Sequence, residues 1–241
     1  MRTTKIEWTE TTWNPTTGCT KISSGCKNCY AERMSLRLQA MGVKKYNDGF
    51  NLKIHPEVLE EPYSWRKPRT VFVNSMSDLF HENMPLDFIQ KVFKVMNDNP
   101  MHTFQVLTKR ADILSKYSSD LVWSKNIWMG VTVENQENVS RVDFLRNVNA
   151  NVKFISIEPL IGEIRALNLE NIDWVIVGGE SGPGARPIKE KWVVSLKEQC
   201  LNQNTHFFFK QWGGVNKKKN GRLLDGQTWD EMPVREEFIL N

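Results

Sequence analysis

The sequence contains little cysteine and histidine, 4 of each in 241 residues, and it has no apolar run long enough to span a membrane. The N-terminal segment MRTTKIEWTE is polar and lacks the charged-then-apolar pattern of a secretory leader. We therefore expect a cytoplasmic protein with no membrane partner and with reduced thiols rather than disulfides. The net charge of +4 and pI near 8.8 fall short of the strongly basic surface of a dedicated nucleic-acid binder, although they are compatible with a nucleotide or nucleic acid partner.

The few cysteines are distributed unevenly. Cys19, Cys26 and Cys29 lie in the run GCTKISSGCKNCYAERM with the spacing C-x6-C-x2-C, whereas Cys200 is remote. Thiolate is a soft ligand that suits zinc, Cu(I) and iron-sulfur clusters. A closed zinc site or an electron-transfer cluster takes four protein ligands, so three thiolates leave one coordination position for a cofactor or substrate. The spacing thus predicts a metal or iron-sulfur site with one open position.

Two other interpretations of these cysteines stay open. In the first, a histidine completes a Cys3His zinc site and the protein is a nucleic-acid-associated binding module. In the second, the thiolates hold a cluster in a redox or sensing protein without further cofactor chemistry. The histidines, all far from the cysteine loop in sequence, are His55, His81, His102 and His206.

Short apolar runs of strand character alternate with stretches of helical periodicity. Strand followed by helix at intervals of about 20 to 35 residues is the spacing of a parallel α/β sheet. The predicted strands are 70–73, 103–107, 128–133, 152–157, 174–177 and 206–209, with an earlier short strand around 6–8. Helices are predicted over 31–40, after Pro85, and over 188–202, where Cys200 shares an apolar face and is expected in the core.

Polar or glycine-rich segments follow these strands, at the edge where parallel α/β folds build their active sites. A buried glutamate needs a partner, so Glu158 is either a site residue or half of a salt bridge with an arginine. Asp78 is either a site residue or a helix cap. The glycine-rich segment 178–186 either presents N–H groups to an anion, with Arg186 adding a contact, or only turns tightly. The candidate residues at this edge are Asn74, Ser75, Ser77, Asp78, Thr132, Glu134, Glu158, Gly178, Gly179, Glu180 and Lys210.

Near the C-terminus, Lys210 emerges from an aromatic run and is a candidate to bind a substrate anion, while Trp212 either stacks on a base or packs in the core. Residues after Gly213 carry turn signals and few periodic apolar positions. We therefore expect residues 1–213 to form the barrel and residues 214–241 to form a tail that covers its mouth.

A cysteine loop between the first strand and first helix of a partial (β/α)6-7 TIM-like barrel resembles the radical S-adenosylmethionine (SAM) superfamily. The usual motif of that superfamily has three residues between its first two cysteines and an aromatic before the third. Here the first gap has six residues and Asn28 precedes Cys29. The aromatic follows instead, as Tyr30, and this Cys-Tyr-Ala ending is similar to several branches, including spore photoproduct lyase-like enzymes.

A closer resemblance covers almost the whole chain, to the phage-associated three-Cys-motif proteins that are grouped near radical SAM enzymes. It implies the barrel and the cluster, but not a substrate. The segments that carry it are WNPTTGC, VFVNSMSDLFHE, LTKR, GVTVEN, SIEPLIG, DWVIVGGESGPGARP, FFFKQWGG and LLDGQTWDEMP.

The resemblance implies a 4Fe-4S cluster on Cys19, Cys26 and Cys29, with SAM chelating the fourth iron. An electron from a reductant such as flavodoxin or ferredoxin would cleave SAM, and the resulting radical would abstract a hydrogen from the substrate. A nucleic acid or nucleotide is the favoured substrate class. Lys210 and Glu158 are predicted as catalytic residues. The predicted cofactor-binding residues are Tyr30, Asn74, Ser75, Ser77, Asp78, Thr132, Glu134, Gly178, Gly179 and Glu180.

Overall fold

A computed structural model describes residue 4 and residues 6–234 of the chain. Its main sheet has seven parallel strands in sequential order, β1-β4-β5-β6-β7-β8-β9, curled into a half-barrel. These strands are β1 (Thr11–Trp13), β4 (Thr70–Val73), β5 (Thr103–Thr108), β6 (Ile127–Thr132), β7 (Val152–Ile157), β8 (Trp174–Gly178) and β9 (His206–Gln211), and a separate antiparallel pair consists of β2 (Thr16–Thr17) and β3 (Lys53–Ile54). The predicted α/β fold, a partial TIM-like barrel, is confirmed.

Helices alternate with most of the strands. The helices on the convex face of the sheet contact it through apolar side chains at helical spacing, because an amphipathic helix buries its apolar stripe. The α-helices are α1 (Tyr30–Ala40), α2 (Leu86–Asp98), α3 (Ala111–Tyr117), α4 (Arg141–Arg146), α5 (Glu190–Asn202) and α6 (Lys217–Asn220). Short 3-10 turns lie at Ser24–Cys26, Lys44–Tyr46, Pro56–Val58, Glu61–Ser64, Ser118–Asp120 and Gln136–Asn138.

The core between sheet and helices contains the alternate strand residues that point outward, such as Val71 and Val73, together with the buried face of α2. Cys200 is fully buried on α5 beside Val193 and Leu196, so the prediction that it is a core residue is confirmed.

Aromatic side chains fill the concave face of the half-barrel over the N-terminal half of the strands. Trp174 lies at the centre of this group and is fully buried. Its ring centroid is 5.7 Å from that of Phe154, 6.0 Å from Phe208, 6.2 Å from Trp128 and 6.3 Å from Trp8. A Cβ at Gly130 would lie 2.6 Å from the Phe154 ring, so this glycine makes room for the aromatic layer.

The first strand differs from its prediction. The structure places it at Thr11–Trp13, where it pairs in parallel register with Val71–Val73, rather than at 6–8. Residues 6–9 form a turn, in which Thr9 N–H donates to the Ile6 carbonyl at 3.4 Å, and Trp8 fills the barrel interior. The strand prediction at 6–8 was wrong because Trp8 is apolar as part of the inner aromatic layer and not as part of a strand.

The part of the tail that the structure describes runs beside β9. The Phe209 N–H donates to the Trp229 carbonyl at 2.9 Å, and Leu224 is buried in the outer core. The division of the chain at residue 213 and a lid function for the tail stay predictions. Within the described residues, none of the helices has the length and apolar composition needed to cross a bilayer.

Replacing Trp174 by Ala should lower the free energy of unfolding by about 3 to 5 kcal/mol, because it removes the centre of the inner aromatic layer and leaves a cavity. The exposed Val122 provides the control, since Val122→Ala should cost less than about 0.5 kcal/mol. Urea unfolding followed by circular dichroism measures both. A cost below about 1 kcal/mol for Trp174→Ala would show that the inner layer is not tightly packed.

Candidate functional site

The three clustered cysteines lie on a loop between β2 and α1, at the carboxyl edge of the sheet. The Gly18 N–H donates to the Met76 carbonyl at 3.0 Å, which ties the start of the loop to the segment after β4. Cys26 ends a 3-10 turn and Cys29 caps α1. All three thiols are free and partly exposed. In the part of the chain that is described, no group of three or more His, Cys, Asp or Glu side chains has the geometry to hold a single metal ion.

Three buried carboxylates hold this loop, and each follows a different strand. Asp78 comes after β4, Glu134 after β6 and Glu180 after β8, with exposures of 6%, 0% and 5%. Each is paired with at least one cationic side chain, as buried carboxylates must be. The sequence predicted all three as cofactor contacts. In the structure their oxygens accept hydrogen bonds from partners on, or next to, the cysteine loop, and their predicted contacts with a cofactor are untested.

Asp78 connects the carboxyl end of β4 to the carboxyl end of β5, close to Cys19. Its Oδ1 accepts from the Thr108 hydroxyl at 2.7 Å and from the Phe80 N–H at 3.0 Å. Its Oδ2 accepts from Lys109 N–H and from Arg110 Nη1, both at 3.1 Å. With four donors the carboxylate is fully occupied. It therefore caps the local turn and holds an arginine, and its predicted contact with a cofactor stays a prediction.

Glu134 fastens the middle of the loop. Its Oε1 accepts from the Ser23 hydroxyl at 2.6 Å and from Lys109 Nζ at 3.1 Å, while Oε2 accepts from Arg141 at 2.8 Å. Gly25 packs directly on this carboxylate, since a Cβ there would lie 2.4 Å from Glu134 Cγ. The pKa of Glu134 is lowered although burial alone would raise it, because Lys109 and Arg141 favour the charged form.

Glu180 fastens the end of the loop through the glycine-rich segment. Arg186 donates to both of its oxygens, at 2.6 Å from Nη2 and 3.0 Å from Nε, and Asn28 donates to Oε2 at 3.0 Å. Arg186 Nη1 also donates to the Ser24 carbonyl at 2.9 Å. Burial opposes ionisation here too, but these donors lower the pKa of Glu180 to about 2. Arg186, which in one of the two interpretations of this segment adds a contact to a bound anion, here donates to the chain's own carboxylate.

The thiols themselves have different environments. Burial and the nearby Asp78 carboxylate raise the pKa of Cys19 to about 11, against a smaller opposing effect of Arg110. Burial also acts to raise the pKa of Cys26, yet a backbone hydrogen bond from Ile22 and the charge of Lys109 outweigh it and lower that pKa.

The segment after β4 supports the start of the loop through short polar side chains. Asn74 is buried with φ of 59°, a left-handed conformation that asparagine tolerates, and its Oδ1 accepts from the Thr16 N–H at 3.2 Å. The Ser77 hydroxyl donates to the Gly18 carbonyl at 2.7 Å, and the Ser75 hydroxyl donates to Asn14 Oδ1 at 3.1 Å. Their predicted contacts with a cofactor are untested.

Tyr30 begins α1 and is half exposed, and its hydroxyl donates to the Ser75 carbonyl. Thr132 ends β6, is buried, and its carbonyl accepts from Arg141 at 2.7 Å. Both lie at the edge where the loop sits, as predicted from their positions.

Glu158 and Lys210 form an ion pair across the concave face. Their side chains are 16% and 15% exposed, and Lys210 Nζ lies 3.0 Å from Oε1 and 3.1 Å from Oε2 of Glu158. The peptide bond between Glu158 and Pro159 is cis. The structure therefore joins the two residues predicted as catalytic, and the partner of Glu158 is a lysine rather than an arginine.

Gly178 and Gly179, at the end of β8, pack against the chain's own atoms. A Cβ at Gly178 would lie 2.5 Å from Glu158 Oε1, and one at Gly179 would lie 2.1 Å from the Trp212 carbonyl oxygen. The Gly179 N–H donates to the Gln211 carbonyl at 2.9 Å. The close approach that these two glycines permit is therefore to the chain's own atoms, which favours the tight-turn interpretation of this segment. Their predicted contacts with a cofactor are untested.

Several site residues were missed at the sequence level, above all Arg110, Lys109 and Arg141. The segment LTKR, which contains Lys109 and Arg110, enters the sequence analysis only among the segments that carry the family resemblance. A signal was available, because three buried acids at one edge require cations of about equal number, but the pairing itself depends on how the strands are arranged.

A cleft of about 590 Å³ opens beside Cys19 and gives solvent access to this corner of the loop. Its lining includes Thr20, His81 and Lys53. His81 is buried, and its burial and the charge of Arg110 lower the pKa of its imidazole.

Residues 3–233 match the model of a family described as "Protein of unknown function (DUF5131)". The chain belongs to the DUF5131 family. No curated protein matches it. Among solved structures, this DUF5131 chain is similar to spore photoproduct lyase complexed with dinucleoside spore photoproduct, with a TM-score of 0.42 and 9% identity over 77% of this chain. The DUF5131 chain covers only 59% of that lyase chain, and similarity at this level assigns it no activity. The phage association of the DUF5131 chain stays a prediction.

Replacing Gly25 by Ala should displace the cysteine loop, because the new Cβ would overlap the Glu134 side chain. We expect Cys26 and Cys29 to be alkylated several-fold faster than in the unmodified DUF5131 protein, as measured by mass spectrometry after brief iodoacetamide treatment. The neighbouring Ser24→Ala changes an exposed side chain and is the matched control. Unchanged rates in Gly25→Ala would mean that the loop is not held by this contact.

Replacing Glu180 by Gln should remove a pH-dependent part of the stability. Because the folded pKa is about 2 and the usual value is 4.5, the ionised form stabilises the fold above about pH 4.5, and this contribution is lost as pH falls toward 2. Its size is on the order of 3 kcal/mol. Urea unfolding at several pH values should show a steeper acid loss in the unmodified protein than in Glu180→Gln. Glu163→Gln, which changes an exposed glutamate, is the control. Its free energy of unfolding should fall with decreasing pH as steeply as that of the unmodified protein.

Proposed function

We propose that this DUF5131 protein is a radical SAM-type enzyme that binds a 4Fe-4S cluster through Cys19, Cys26 and Cys29. The observation that carries the proposal is the position of three free, partly exposed thiols on one loop at the carboxyl edge of a parallel half-barrel. That edge is where α/β enzymes place their chemistry. The resemblance of the cysteine motif to the superfamily supports the same assignment.

The donor set fits a cluster better than it fits a single zinc ion. Thiolates on one tetrahedral zinc, at 2.3 Å from the metal, would bring their sulfurs to about 3.8 Å from one another. The described residues contain no such group of three ligands. In a cluster, each thiolate binds a different iron, so the sulfurs stay further apart. Three cysteines also leave the fourth iron open for SAM.

When bound, the cluster and SAM supply one-electron cleavage of the sulfonium and hence hydrogen abstraction. The chain's own residues hold the site in place. The buried carboxylates Asp78, Glu134 and Glu180, with their cationic partners, fix the loop from three sides. Such rigid support is what a reactive site requires, since small displacements lower rates strongly.

We place the substrate on the concave face, beyond the aromatic layer and near the strand ends. Thr132 and Ser156 alternate with outward-facing residues of β6 and β7, which puts them on the same face as Phe154. Glu158 and Lys210 lie on this face near the strand ends. We infer that Lys210 binds an anionic substrate group and that Glu158 orients the lysine, while the aromatic layer excludes water from below.

A nucleic acid or nucleotide is the substrate class that the overall charge of +4 favours, because its phosphates would match Lys210. The reductant, flavodoxin or ferredoxin by class, would reach the cluster through the cleft beside Cys19.

The deciding experiment is anaerobic reconstitution with iron and sulfide, followed by metal analysis and an assay for deoxyadenosine formed from SAM with dithionite. We expect about four irons per chain and deoxyadenosine formation. Cys26→Ala should lose both. The matched control is Cys200→Ala, which changes a buried cysteine far from the loop and should keep both.

Stoichiometric zinc without iron would overturn the proposal in favour of a zinc-binding, nucleic-acid-associated module. A cluster whose spectrum and reduction are indifferent to SAM would overturn it in favour of an iron-sulfur redox protein.

Replacing Lys210 by Ala should separate substrate binding from SAM cleavage. If Lys210 binds the substrate, the variant should still cleave SAM in the absence of substrate at a rate within about twofold of the unmodified enzyme, because its cofactor site is intact. Deoxyadenosine measured by chromatography gives this rate, and the control is Lys197→Ala, which removes a similarly buried lysine from a different ion pair on α5. Loss of cleavage in Lys210→Ala alone would place Lys210 at the cofactor instead.

A further inference from the structure

The guanidinium of Arg110 is buried beside Cys19 and has a fixed orientation. Its side chain is 4% exposed. An arginine has five N–H donors in a planar fork, and every one of them has an acceptor here. The acceptors are Glu82 Oε2 at 2.6 Å from Nε, Asp78 Oδ2 at 3.1 Å and Cys19 Sγ at 3.4 Å from Nη1, and the Thr20 carbonyl and hydroxyl at 3.1 Å and 2.8 Å from Nη2.

The four bonds to oxygen determine where the fifth donor points. Because the fork is rigid, oxygen partners on Nε and Nη2 leave one N–H of Nη1 directed at the sulfur. The carboxylates of Asp78 and Glu82 lie on other sides of the guanidinium and accept from it, so the sulfur meets an N–H rather than an oxygen. Thr20 itself is held by Glu82 at 2.7 Å, which ties the same arginine to the residue after Cys19.

The three cysteines differ in this respect. Cys26 has the neutral Ser23 hydroxyl at 3.6 Å. Within residues 6–234, Cys19 is the one of the three whose sulfur accepts a hydrogen bond from a cationic side chain. A ligand sulfur with such a donor makes one corner of a bound cluster electrostatically unlike the other two.

We propose that Arg110 is a positioning residue that orients the Cys19 thiolate and raises the reduction potential of the cluster, an inference that rests on the proposed function. Hydrogen bonds to the sulfurs are among the factors that set the potential of an iron-sulfur cluster. Reduction adds negative charge, and a cationic N–H on a ligand sulfur stabilises that charge. Losing the bond therefore makes the cluster harder to reduce.

Removing Arg110 alone would leave Asp78 buried without its counter-charge, which destabilises a protein strongly. Two variants avoid this problem. Arg110→Lys keeps the charge but loses the fork. Arg110→Met combined with Asp78→Asn removes both partners, so the net charge is unchanged and no buried carboxylate is left unpaired. Arg146→Lys is the matched control, since Arg146 also makes several hydrogen bonds but lies away from the cysteines.

The test is a redox titration of the reconstituted cluster, followed by visible absorbance and electron paramagnetic resonance, with iron content and melting temperature measured in parallel. At a fixed potential we expect the ratio of reduced to oxidised cluster to fall about tenfold in Arg110→Lys, which is 59 mV for one electron. It should fall less in the double variant, because losing the nearby Asp78 carboxylate offsets part of the loss of Arg110. Arg146→Lys should titrate like the unmodified protein. Loss of iron in both Arg110 variants, at an unchanged melting temperature and with Arg146→Lys fully loaded, would also support the positioning role.

Equal potentials and equal iron contents in all four proteins would overturn the inference while leaving the proposed function intact. An unmodified protein that binds no cluster would overturn the proposed function itself, and this inference with it.

Discussion

The pairing of buried carboxylates with cations is the constraint on which the site depends. A carboxylate cannot stay ionised away from water without donors, and removal of one partner from such a pair costs about 3 to 5 kcal/mol. Asp78, Glu134 and Glu180 meet this requirement with Arg110, Lys109, Arg141 and Arg186. Arg110 and Arg186 also donate to atoms of the cysteine loop, and Glu134 accepts from Ser23 on it, so the network that satisfies the buried charges also holds the loop over the sheet.

The half-barrel divides its concave face into two parts with different chemistry. The lower part is a layer of packed aromatic rings centred on Trp174, which excludes water by its density. The upper part contains Thr132, Ser156 and the ion pair of Glu158 with Lys210. Alternation along the strands produces this arrangement, since every second residue points inward. The polar residues then come at the strand ends, where the cysteine loop lies and where the proposed reaction would take place.

Much of the fold was predictable because apolar runs and helical periodicity are local properties. The strand at 152–157 was predicted with its observed bounds, and Cys200 was correctly placed in the core. The prediction of a strand at 6–8 was wrong because Trp8 is an apolar residue of the inner aromatic layer that does not lie in a strand. The candidate acids were found by their position after strands. Their cationic partners were not, since the pairing of Glu180 with Arg186 depends on how the segment after β8 folds back on itself.

The sequence by itself determined the parallel α/β architecture, the clustering of three thiols and the set of polar residues at the strand ends. Each of these depends on the order of residues along the chain. Only the tertiary structure decided which cation pairs with which carboxylate. It also decided that the two glycines at the end of β8 pack against Glu158 and Trp212, and that Arg110 donates to Cys19. Such contacts join residues far apart in the chain, and the curvature and register of the sheet, which no local pattern encodes, bring them together.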